Sequence, residues 1–175
     1  MFRLLANLGI RIRRNEAGSL SVEFALLAPA FLILLFGIIE SGLMLFNSII
    51  MEGAAQEAAR QVRTGVVQSS GDPETTFKTL LCDNLFSIVS CASLTYVVET
   101  YPSFTSSNMT SMFDANGNIR AASYADTEPG DVVVVRVAMN WTFITPLISY
   151  AYGTDRMQLI STVVFRNEPF NPAGI

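Results

Sequence analysis

Two carboxylates stand in this chain where a carboxylate is costly. Glu23 follows Gly18 by five residues and stands at the head of a long apolar run, and Glu40 is the only charged residue between Phe24 and Met51. A carboxylate at or below the edge of a hydrocarbon layer must reach the interface, take up a proton or meet a partner. For Glu23 a partner can be made by hydrolysis. Cutting the peptide bond between Gly18 and Ser19 would leave an ammonium four residues ahead of it, at the same end of a helix. Among parallel copies, Glu23 of one could pair with the ammonium of another, neutralising both charges and setting the axial offset between helices. The plainer reading is an interfacial acid turned to the headgroups. Glu40 lies about 25 Å further along a helix, at ~1.5 Å per residue. Gly37, Glu40, Ser41, Met44, Asn47 and Ser48 fall on one helical face. Small residues there permit close helix approach and polar ones can bond across it, which predicts an association face rather than an acid merely protonated in lipid.

Other reactive groups are few. Cys82 and Cys91 are the only cysteines. They lie beyond the apolar run, in what is read below as an oxidising compartment, so a bridge is favoured over two reduced thiols. With no histidine and no paired-cysteine spacing, neither a metal site nor another cofactor is expected. The serines lack a nucleophile-elbow context, and no base is at hand for a triad, so no enzyme is predicted. Asp114-Ala115-Asn116-Gly117-Asn118 reads as a turn, because its glycine is misplaced for a calcium loop.

These groups need elements to hold them. Phe24 to Met51 is longer than the roughly 20 residues that cross a bilayer, and longer than the apolar core of a cleavable secretory signal. Arg3, Arg11, Arg13 and Arg14 precede it, while Glu52 and Glu57 open its far flank. The positive-inside rule then places the N-terminus in the cytoplasm and the rest outside. The net charge is −4, and the outer part is acidic without a basic cluster, which argues against nucleic acid as a partner.

The helical pattern continues past the membrane. Ala54, Ala55, Ala58, Ala59 and Val62 form a stripe over Met51 to Val67, with Gly65 as a stop, so one helix of about 65–70 Å is predicted, interrupted in its bonding at Pro29. Asp72 and Pro73 start a second helix with the apolar face Phe77, Leu80, Leu81, Leu85 and Ile88. The period then becomes two. Strands are predicted at Leu94 to Tyr101, Asp131 to Phe143 and Gln158 to Phe165, with Pro146-Leu147-Ile148 starting a connection. Ser103 to Gly130 reads as an irregular excursion holding a hairpin turn at Asn116-Gly117. Phe77, Tyr96, Trp141, Phe143 and Phe165 are expected in the core. The fold class is α+β: a long N-terminal transmembrane helix, a second helix and an antiparallel sheet of about three strands. The expected divisions are a basic leader (1–18), the long helix (19–67) and an outer α+β domain (68–175).

The stretch Gly18 to Gly65 resembles the TadE-like family of Flp/Tad pilus assembly proteins. The likeness rests on Ser21-Val22-Glu23-Phe24-Ala25-Leu26-Leu27-Ala28-Pro29, on Phe36-Gly37-Ile38-Ile39-Glu40 and on Ala54-Ala55-Gln56-Glu57-Ala58-Ala59-Arg60. Less specific likeness lies in Gly130 to Val137, Thr145-Pro146-Leu147 and Phe165 to Phe170. The resemblance implies a pseudopilin or minor pilin, cut by a prepilin peptidase after Gly18, with Phe24 where the family usually has tyrosine. It implies a bacterial inner-membrane protein with a periplasmic outer domain. Its partners would be other pilin subunits and the membrane platform of the pilus, and the fibre itself is a further destination. The alternative is an accessory protein that is never cleaved, anchored for good, with a periplasmic binding domain.

Overall fold

The computed structural model of the chain describes residues 18–106 and 111–171. The basic leader and its arginines lie outside the described residues. Two compact units divide at Ser41 and Gly42.

Helix α1, Ser19–Arg63, runs through both units and continues through Pro29. In the first unit its exposed surface is largely apolar, with Leu20, Phe24, Leu27, Phe31 and Leu34 all exposed. A helix without a polar face suits lipid rather than water. In the second unit a stripe of Met51, Ala54, Ala55, Ala58, Ala59 and Val62 is no more than 2% exposed. Alanine side chains on this stripe let the helix axis lie close to the sheet beneath it. Gly65 stops the helix at φ 82°. A Cβ there would also fall within the ring of Phe170, so only glycine satisfies both the backbone and the packing.

Helix α2, Pro73–Asp83, starts as expected: the Asp72 carboxylate accepts from Thr75 N at 3.1 Å and Pro73 opens the first turn. Phe77, Leu81 and Leu85 are buried, but Ile88 is exposed and Val89 enters the core instead. The helix ends at Asp83, and Phe86 and Ser87 then take left-handed backbone at φ 52° and 57°. That reversal changes the phase of the apolar pattern by one residue.

The sheet contains β1, Leu94–Tyr101; β2, Ser123–Tyr124; β3, Val132–Thr142; and β4, Arg156–Arg166, in the order β2-β1-β3-β4. The three long strands pair antiparallel, with Leu94 opposite Met139 and Met139 opposite Leu159. The fourth strand, β2, pairs parallel to β1, so the sheet is mixed and four-stranded rather than antiparallel and three-stranded. Two residues are too few to show an alternating pattern. Tertiary packing places β2, with Tyr124 set 5.7 Å from Phe77. The segment opened by Pro146 is a short helix, α3, Pro146–Tyr152, closed by Gly153 in left-handed backbone. Asn116-Gly117 turns as predicted, with Asp114 Oδ1 accepting from the backbone N–H groups of Asn116 and Asn118 and a bridge between Phe113 and Ile119.

Strand β3 is buried on both faces over Val132 to Met139. One face (Val133, Val135, Val137, Met139) joins the α1 stripe and α2 in the main core, which includes Tyr96. The other face places Val97 and Ala138 against Met112 and Ile119 of the excursion. Trp141 and Phe165 pack at the core margin, whereas Phe143 is only half-buried and stacks on Tyr152 at 5.5 Å.

Candidate helix-packing site

The first turn of α1 gathers the residues predicted to act at its mouth. Gly18 precedes the helix and Ser19 is its first residue. Ser19 Oγ donates to Glu23 Oε1 at 2.9 Å, and both residues are exposed. One helical turn therefore brings the carboxylate to the residue whose nitrogen a cut after Gly18 would free.

Deeper in the helix, Glu40 is only 4% exposed and Gly37 is half-buried. Ser41 is exposed and its hydroxyl donates back to Gly37 O at 2.9 Å. Such a back-bond gives a hydroxyl an acceptor where water is absent. In the second unit Asn47 does the same, with Nδ2 donating to Leu43 O at 2.7 Å. Ser41 and Asn47 thus bond along the helix's own backbone, while Gly37 presents no side chain.

Cys82 and Cys91 are bonded to each other. The bridge ties the end of α2 to the residues just ahead of β1 and closes the loop that carries Phe86 and Ser87.

Sequence reasoning missed an ionic cluster on the second face of the sheet. Arg136, which is buried, donates from Nη1 to Glu99 Oε2 at 2.8 Å, and Arg120 Nη1 donates to Glu99 Oε1 at 3.1 Å. Tyr101 adds its hydroxyl at 3.1 Å. Burial pushes the Glu99 carboxyl up, but the bonds from Arg136, Arg120 and Tyr101 outweigh it and hold the carboxyl below its ordinary range. A signal was present: an arginine amid the valines of Val132 to Val137, in a strand apolar on both faces, requires a carboxylate nearby. A second missed network fastens the segment just after β4. Asn167 Nδ2 donates to Thr127 Oγ1 and to Glu128 O, Gln68 bonds the same threonine, and Arg63 pairs with Glu168 at 3.3 Å. Elsewhere burial, with help from the Glu74 carboxylate that its hydroxyl bonds, pushes Tyr96 up to about 12.

No cluster of metal-ligating side chains occurs among the described residues. The constellation offers charge pairing and close packing at a helix surface. The family model of the TadE-like proteins matches residues 18–60, from the glycine ahead of α1 to near its end. The N-terminal segment is similar to the TadE-like proteins. No curated protein and no solved structure matches the chain. The helix that holds the matched residues is long and apolar enough to cross a membrane. The match ends at Arg60, so the likeness in the C-terminal strands lies beyond it.

Proposed function

We propose that this chain is a minor pilin or pseudopilin of a Tad-type pilus that acts by lateral packing of α1. In this reading the N-terminus begins in the cytoplasm, α1 crosses the inner membrane and the second unit lies in the periplasm. A prepilin peptidase cuts after Gly18. The observation that carries the reading is the 2.9 Å bond from Ser19 to Glu23 inside the TadE-like segment. After the cut, the same turn would hold a carboxylate beside the new ammonium, and either group can exchange its partner for that of a neighbouring subunit. Removed from water, such a pair is stable only when both charges are matched, which makes it a register device rather than a source of net stability. Gly37, Glu40 and Ser41 form the contact face below it, packed against another pilus or platform helix. The Cys82–Cys91 bridge fits the periplasmic placement.

N-terminal sequencing of protein purified from membranes tests the processing step. A start at Ser19 is the expected result; an intact leader through Gly18 defeats the pilin reading and leaves an uncleaved accessory protein. Glu23→Ala tests the pairing step separately. Processing at Gly18 should persist while pilus assembly and co-purification of partner subunits fall. Unchanged assembly would remove the pairing mechanism.

A further inference from the structure

The outer unit is polarised along its strands. At one end of the sheet Tyr101 lies opposite Val132 and Val132 opposite Arg166. Glu168 just beyond reaches Arg63, so this is the end where α1 finishes. It carries Glu128, Asp131 and Glu168. At the other end Leu94, Met139 and Leu159 line up. From Arg166 back to Arg156, β4 covers about 33 Å at ~3.3 Å per residue. The same distance along α1 from Arg63, at ~1.5 Å per residue, returns to about Gly42. Met44, Ile50 and Met51 accordingly pack on the core. The apolar part of α1 belonging to this unit thus lies at the Leu94–Met139–Leu159 end.

Two other segments finish at that same end. The bridge from Cys82 to Cys91, three residues before β1, brings the loop after α2 there. The connection between β3 and β4 carries α3 there. Both present large apolar side chains to the surface. Phe86 is 73% exposed and Tyr150 85%, with Ile88, Leu147 and Tyr152 exposed beside them in sequence. Left-handed backbone at Phe86 and Ser87 is unfavourable for residues with a side chain, yet the closed loop keeps it. Tyrosines with leucine and phenylalanine are the side chains that rest between hydrocarbon and water.

The depth agrees. About 20 residues fill a hydrocarbon layer ~30 Å thick. Counted from Phe24, that leaves Met44 to Met51 at headgroup level, beside this rim. We infer that the rim of the outer unit formed by Phe86, Ile88, Leu147, Tyr150 and Tyr152 is seated in the interface of a phospholipid bilayer. It would hold the outer unit against the surface until the subunit leaves the membrane. The inference rests on the reading of α1 as a membrane-crossing helix.

The test uses the full chain in phosphatidylcholine–phosphatidylglycerol vesicles containing lipid brominated near the top of the acyl chain. With the Cys82–Cys91 bridge intact, a fluorophore is placed through Tyr150→Cys, or through Leu147→Cys as a second reporter on α3. Ser69→Cys labels the opposite end, and Ile38→Cys labels α1 itself. A seated rim predicts a roughly two-fold loss of emission from the α3 label, because interfacial groups sit ~5–10 Å into the headgroup boundary. The Ser69 site should be unaffected. Quenching at Ile38 without quenching at either α3 site overturns the rim contact and spares the anchor. Absence of quenching at Ile38 as well overturns both. An α3 label shielded from aqueous iodide but not quenched by brominated lipid marks a protein contact and also overturns the proposal.

Discussion

Glu99 is the residue on which the second face of the sheet depends. It answers two guanidinium groups, and the Arg136 side chain is only 6% exposed. Glu99→Gln would leave a buried cation without its carboxylate, a loss of about 2–4 kcal/mol at neutral pH by comparison with broken buried pairs. The carboxyl is held below its ordinary range, so it binds its proton more weakly folded than unfolded. Its contribution is therefore complete above the usual carboxylate value of about 4.3 and is lost as pH falls through the folded value. Urea unfolding of both proteins across pH 3–7 should show a gap that is widest near pH 7 and closes at the acid end. A gap independent of pH would mean that shape, not charge, matters at this position.

Among the elements, the loop after α2 is the one whose path its own residues do not favour. Phe86 and Ser87 hold left-handed backbone that glycine or asparagine would adopt more readily. The bridge closes this loop and confines the unfolded chain. Replacing both Cys82 and Cys91 with serine should cost about 2–3 kcal/mol, with chemical denaturation as the measure. The loss should be accompanied by faster amide exchange over Leu85 to Ser90, while the α1 stripe stays protected by its packing on the sheet. Equal loosening of both regions would show that the bridge supports the whole core.

For the molecule as a whole, the division of labour follows solvent. The first unit shows a largely apolar helix that water cannot favour, and the second buries a helix stripe and two faces of one strand, with the segment after β4 held by Asn167 and Glu168. In the proposed topology, protease added to spheroplasts should degrade the protein beyond Met51, while an N-terminal tag, kept attached by a Gly18→Leu substitution that blocks the proposed cut, stays protected until the membrane is opened. Degradation of the tag in sealed spheroplasts would reverse the orientation.

Read alone, the sequence specified the parts whose signal is local. The apolar run, the alanine stripe, the Asp72-Pro73 helix start, the three long strands and the Asn116-Gly117 turn all follow from periodicity or from backbone chemistry within a few residues. The Gly18–Glu23 spacing was equally plain, since one helical turn brings Ser19 to Glu23. What only the tertiary structure decided was long-range. Strand β2 has no pattern of its own and is set by Tyr124 packing on Phe77. The phase change from Ile88 to Val89 follows a backbone reversal that Phe86 and Ser87 do not advertise. The Glu99 cluster joins residues 21 and 37 positions apart. The disulfide loop and the β3–β4 connection share one end of the sheet because antiparallel strands return to it.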